Sequence, residues 1–125
     1  MPLAGQPTRL ALQACSAGGQ TWGLAYADVA DPARIAPALA DLVASATANV
    51  DGRSSRHASF RVHGATPNPG SRRLLLQGRL PDGKAVTMQV AVFTHGTRVF
   101  QATVLGEQLD FEAAEAFLDG LLVQP

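Results

Sequence analysis

The 125-residue chain carries a single cysteine, Cys15, which excludes an intramolecular disulfide and any zinc site built from paired thiolates. Aromatic rings are scarce: 5 Phe, 1 Trp and 1 Tyr make up 6% of the residues, which leaves few for stacking on bases. No apolar run reaches the length of about 18 residues that a membrane-spanning helix needs. Met1-Pro2-Leu3 lacks the basic start and following apolar run of a secretory leader. Leu12-Gln13-Ala14-Cys15 has the form of a lipoprotein cleavage box, but only Leu10 to Ala14 precede the cysteine as an apolar region, which is too short. The expectation is a cytoplasmic protein or, if a leader has been removed, a periplasmic or secreted one. Chemistry-bearing motifs are absent too. There is no Gly-x-Gly-x-x-Gly fingerprint, no phosphate loop ending in Gly-Lys-Ser/Thr and no Gly-x-Ser-x-Gly elbow, so nucleotide binding and serine nucleophile chemistry have no support.

What the chain does have is material for one core. Of its 46% hydrophobic content, 22 residues are alanine, and the larger core formers are 15 Leu, 10 Val, 5 Phe, 2 Met and one each of Ile, Trp and Tyr. That inventory suits one folded domain over residues 1–125 and is too apolar and too weakly charged for a disordered chain.

Apolar residues alternate along six segments, the signature of strands. Thr8 to Cys15 places Leu10, Leu12 and Ala14 on one face, and Thr21 to Asp28 places Trp22, Leu24 and Tyr26 there; Ser16-Ala17-Gly18-Gly19 between them predicts a hairpin. Ala58, Phe60 and Val62 begin the next run, followed by Leu74, Leu76 and Leu80. Then come Val86 to Val92 and finally Phe100, Ala102 and Val104. Pro81-Asp82-Gly83-Lys84 and His95-Gly96 read as hairpin turns. Gly64 to Ser71, with Pro67, Asn68, Pro69 and Gly70, is the one long irregular connection. Asp31-Pro32 caps a first helix carrying Ile35, Leu39, Leu42, Val43 and Ala46, with Pro37 implying either a later start or an irregular first turn, and Asn49 to Ser55 ending it. Asp110 caps a closing helix with Phe111, Ala114, Phe117, Leu118 and Leu121 as its apolar stripe, and Gly120 marks its end.

The expected fold is therefore α+β, an antiparallel sheet of about six strands with two helices in the order ββαββββα. Phe60, Met88 and Phe100 are expected on one core side of the sheet, beneath both helices. The other side mixes Ala11, Ala25, Ala27, Leu75, Ala91, Phe93 and Val99 with Arg61, Arg73, Arg79, Gln77, Gln89 and Gln101. It is too apolar for open water and too polar for a dry core, so a helix of the same chain or a second copy in a homodimer is expected to cover it.

The Asn68-Pro69-Gly70 loop before a basic strand, Arg98-Val99-Phe100-Gln101-Ala102 in the last strand and the ending Phe117-Leu118-Asp119-Gly120-Leu121 resemble the PsbP/Mog superfamily. The chain is similar to its small, often exported bacterial members. Asp119-Gly120 departs from the serine-aromatic ending of that family. The resemblance implies an antiparallel sheet sandwiched by helices and a non-catalytic accessory role. It lends no metal, cofactor or partner-binding residue.

Charge is distributed unevenly. Between Arg53 and Arg98 stand eight basic residues against the single acid Asp82, a balance of +7; residues 1–52 carry −2 and residues 99–125 carry −5, which returns the net charge of zero. Basic strands with acidic helices predict either a cationic surface for an anionic partner or a sheet neutralised by the molecule's own helices. Nucleic acid is the least favoured partner, because Phe60 and the core aromatics sit on the opposite parity from Arg61 and Arg73.

Neither metal nor nucleophile sites emerge. His57 and His63 share a strand face, but six residues at about 3.3 Å each put them about 20 Å apart, too far to ligate one ion. Cys15, in a strand, is expected to be a small packed or half-covered thiol. Asp28 with Asp31, and Asp110 with Glu112 and Glu115, stand at helix starts where capping and the helix dipole account for them. No enzyme activity or cofactor is expected. The expected role is a binding or accessory module, chaperone-like or adaptor in kind, with a protein partner contacting Arg61, Arg73, Arg79, Pro67, Asn68 and Pro69. The alternative is an anion-binding surface for lipid headgroups or nucleic acid.

Overall fold

The computed structural model describes residues 1–60 and 62–123. The chain opens with a small hairpin of β1 (Pro2–Leu3) and β2 (Gln6–Pro7), continues through β3 (Ala11–Ala17) and β4 (Gln20–Asp28), and reaches α1 (Ile35–Asn49) by way of a 3-10 turn over Pro32–Arg34. Four strands follow, β5 (Arg53–Ser59), β6 (Arg72–Arg79), β7 (Ala85–His95) and β8 (Arg98–Gly106), and α2 (Phe111–Asp119) ends the succession. Strands β3 to β8 form one sheet in the order β3-β4-β8-β7-β6-β5, and every adjacent pair is antiparallel. The fold is α+β, as the alternation and the two amphipathic segments predict.

Local chemistry explains the boundaries. Gly18 and Gly19 both have positive φ, 63° and 76°, the geometry of a type I′ turn, so β3 and β4 join through two residues with Ala17 opposite Gln20. Asp31 caps the 3-10 turn by accepting the Ala33 amide at 2.9 Å. Pro37 lies in the first turn of α1, where a helix leaves its N–H groups unbonded, so the irregular start absorbs it without losing a bond. At the far end of α1 the chain turns back so closely that a Cβ on Gly78 would collide with the Val50 carbonyl; only glycine fits there.

The two helices lie on opposite faces of the sheet. Beneath α1 are Leu74, Leu76, Val86, Met88, Val90, Val92 and Val99, packed on Leu39, Leu42 and Ala46. Leu3 of the first hairpin is fully buried in the same cluster, held by the Ala4 amide on Asp41 at 2.7 Å and by Arg34 on the Leu3 carbonyl at 2.9 Å. On the α2 side Phe60, Val62, Ala91, Phe93, Ala102 and Leu118 form a second cluster, flanked by the partly buried Leu24, Phe100 and Phe117.

The expectation of one core side beneath both helices is thus corrected. Met88 faces α1, whereas Phe60 and Phe100 face α2. The side read as the outer one divides in the same way: Ala27 and Val99 join the α1 core, Ala91 and Phe93 the α2 core. The physical cause is phase. Alternation fixes which residues of one strand share a side, but register decides which side that is in the neighbouring strand. Here β7 pairs Phe93 with Phe100 and Val92 with Gln101, which places the odd-numbered side of β7 with the even-numbered side of β8.

Candidate functional site

On the α2 side, four rings run across the sheet as one row. Phe60 meets Phe93 edge-on at a centroid distance of 6.2 Å, Phe93 stacks on Phe100 at 4.9 Å with 5° between planes, and Phe100 meets Tyr26 at 5.9 Å. A guanidinium closes each end: Arg73 lies 5.5 Å over Phe60, and Arg98 lies 5.2 Å over Tyr26. The antiparallel register that aligns Tyr26, Phe100 and Phe93 directly opposite one another builds the row.

The two ends differ in cover. Phe60 and Phe93 are buried, while Phe100 and Tyr26 are half-buried. Over the buried end runs the connection between β5 and β6, strapped to β7 by the Thr66 amide on Thr94 at 2.9 Å and by the Gly96 amide on Thr66 at 3.0 Å. It is also tied to the final segment by the Val123 amide on the His63 carbonyl at 2.8 Å. Gly64, at φ 84°, faces the Val123 backbone so tightly that a side chain there would be excluded. Between this connection and the rings lies a groove of about 920 Å³, whose walls include Phe60, Phe93, Pro67, Asn68 and Pro69. Ser71 also lines it, with its Oγ buried and unpartnered among the described residues.

Helix α2 covers the middle of this face and holds it by charge as well as packing. Arg73 reaches Glu115 at 2.8 Å and Asp119 at 3.1 Å, and donates to Gln89 at 3.2 Å; Gln89 in turn donates to Glu115 at 3.2 Å. Phe117 packs edge-on against Trp22 at 5.3 Å. The helix begins at the sheet as well, since the Asp110 amide donates to Gln20 at 2.9 Å.

Of the residues proposed for contact, Pro67, Asn68 and Pro69 come together with Phe60 and Phe93 in the groove wall, and Arg73 stands beside that row. Arg79 does not join them. It lies six residues along β6 from Arg73, about 20 Å at the rise of a strand, and donates to the Gly83 carbonyl at 2.9 Å. Arg61 lies outside the described residues. The cationic face expected from the charge balance is partly neutralised from within: Arg73 is engaged by two carboxylates of α2, and Lys84 approaches Glu107 at 3.6 Å.

Cys15 is exposed, where a packed or half-covered thiol is expected, because β3 is an edge strand of the sheet. Sequence reasoning put Phe100 on the core side and Tyr26 on one strand face with Trp22 and Leu24, without bringing the two rings together, and so missed the open end of the row. The ion pairs of Arg73 with Glu115 and Asp119 were not foreseen; the four-residue spacing of those two acids, which puts them on one helix face, is the signal that could have found them. Beside the open end, Asp28 accepts hydrogen bonds from the Thr97 hydroxyl and the Ala30 amide, both at 2.8 Å. These bonds, the Thr97 bond first, and then nearby Arg98 hold its carboxyl below the ordinary value of 3.8 against a weaker opposing effect of desolvation.

The arrangement defines a class first: an antiparallel sheet between two helices, one face sealed and the other left partly open over aromatic rings. Among solved structures, the protein of unknown function PA94 from Pseudomonas aeruginosa is similar over 100% of this chain and 90% of its own, at 16% sequence identity and a TM-score of 0.54. That likeness concerns the fold. No protein-family model matches the sequence, and no curated protein matches it either.

Proposed function

We propose that the protein is a non-enzymatic binding module, adaptor or chaperone-like in kind, on a bacterial PsbP/Mog-like scaffold, and that it receives an apolar segment of a protein partner on the α2 side of its sheet. The observation that carries this reading is the half-open aromatic row: Phe100 and Tyr26 continue the buried Phe60–Phe93 pair outward and are themselves only half-buried. Arg98 at the outer end adds a cation to that floor, which favours a segment carrying a carboxylate beside its apolar side chains.

Arg73 weighs against the anion-binding alternative. Its guanidinium already has Glu115, Asp119 and Gln89 as partners, so a phosphate or headgroup would have to displace carboxylates of the same chain. A photoreactive phenylalanine placed at Tyr26 and, as a control, at the exposed Ala44 on the back of α1 tests the reading in the native host. A discrete protein adduct from position 26 alone, lost on Phe100→Ser, supports it. Absence of an adduct there, together with salt-sensitive binding to anionic vesicles, transfers the case to the anion surface.

A further inference from the structure

The two edges of the sheet are built differently. Strand β5 has Arg53 and Arg56 in its sequence and shifts register between Ser54 and Arg56; charge and a bulge are devices that keep an edge from pairing with other chains. Strand β3 has neither. Its seven residues, Ala-Leu-Gln-Ala-Cys-Ser-Ala, contain no charge and no proline, pair with β4 without a break from Ala11 to Ala17, and are exposed from Leu12 onward. Leu12, near the start of this edge, is 69% exposed, the most of any large apolar side chain described.

We infer that the free edge of β3 pairs antiparallel with β3 of a second copy of this chain, about a two-fold axis at Ala14. The type I′ turn dictates the register. Residues flanking a two-residue hairpin loop exchange both backbone hydrogen bonds, so Ala17, Cys15, Gln13 and Ala11 turn their amides toward β4, and Ser16, Ala14 and Leu12 turn theirs outward. Two such edges match when outward residues meet outward residues. A two-fold at Ala14 sets Leu12 against Ser16 of the second copy, Ala14 against Ala14 and Ser16 against Leu12, which uses every outward amide of the strand; sliding by two residues loses a pair. Gln13 then faces Cys15, and no like charges meet anywhere along the edge.

A second copy is the occupant this edge favours. The strand is self-complementary in that register, and the chain's net charge of zero puts no overall repulsion between copies. The axis runs perpendicular to the sheet, so the two sheets continue into one with both α2 helices on the same side.

Sedimentation velocity on the full chain tests this, together with two variants that leave the β3–β4 hairpin its own bonds. Wild type is expected at the mass of two chains. Leu12→Lys, at an exposed position, and Ala14→Pro, which removes an outward N–H, are each expected to sediment as one chain with an unchanged far-ultraviolet spectrum. Register is read by oxidation: Ala14→Cys in a Cys15→Ser background should form an intermolecular disulfide, because directly paired residues lie at about the 5.5 Å that a disulfide spans. Ser16→Cys in the same background should not, since each Ser16 faces Leu12 of the other copy. A wild-type protein that stays a single chain at high concentration overturns the inference, as does a dimer that survives Leu12→Lys or cross-links equally at both positions. Any of these results leaves the reading of the α2 side standing, because that side is probed at Tyr26 and Phe100.

Discussion

The two faces of this sheet solve the same problem with different materials. On one, a helix of 15 residues lies on valine and leucine, and Leu39 and Leu42 of the helix and Leu76, Val90 and Val92 of the sheet are sealed from water. On the other, a helix of 9 residues covers less, and the sheet compensates with aromatic rings, a guanidinium held between two carboxylates, and a loop strapped over one end. The difference teaches how a small domain keeps one face for stability and leaves the other partly open: aliphatic packing needs complete cover, whereas rings and ion pairs tolerate a wet border.

The most direct way to break that contrast is truncation on each side. Leu39→Ala is expected to cost about 4 kcal/mol and Leu118→Ala about 2 kcal/mol, because neighbours of Leu118 are partly exposed and can relax into the gap. Urea unfolding measures both, and a larger loss from Leu118 would refute the contrast. Next in size, Gly64→Ala should push the final segment off the loop at a cost of about 2 kcal/mol. Native-state hydrogen exchange should then show the Val123 amide unprotected while α1 keeps its protection.

A smaller effect sharpens the electrostatic half of the comparison. Arg73→Met is expected to lose about 1 kcal/mol, since its partners Glu115 and Asp119 are 49% and 64% exposed and their attraction is screened by water; added salt should narrow the gap between variant and wild type. The smallest expected signal belongs to Asp28. Its carboxyl titrates lower in the folded chain than the ordinary 3.8, so its contribution to stability is present above that pH and is withdrawn as the pH falls through the folded value. Carboxyl-carbon NMR should find a midpoint below 3.8 in wild type, moved upward by Thr97→Val.

The alternation of Leu74, Leu76, Val86, Met88, Val90 and Val92 was enough to place β6 and β7 and to put their apolar sides together, as were the Asp31 and Asp110 caps to locate both helices. The pairing of β4 with β8 was not legible. It joins Trp22 to Val104 and Tyr26 to Phe100, partners separated by more than seventy residues, and no local pattern encodes their relative phase. Without that phase the alternation puts Phe60, Met88 and Phe100 on one side beneath both helices and does not reveal the aromatic row, although a helix of the same chain over the second side is one of the covers expected and α2 provides it. The β1–β2 hairpin was missed for a different reason: two-residue strands have no period to detect, and only the fully buried Leu3 betrays it in the fold.

The late arrival of β8 has a consequence for assembly. It is the last strand among the described residues, yet it sits in the interior of the sheet, between β4 and β7. Until it is in place, the leading hairpin β3–β4 and the meander β5–β6–β7 share no ladder, and each exposes an unsatisfied rim. A nascent chain released before Arg98 therefore holds two incomplete halves that are more apt to stick to other chains than to each other, and the nine residues of β8 act as the keystone that turns them into one body.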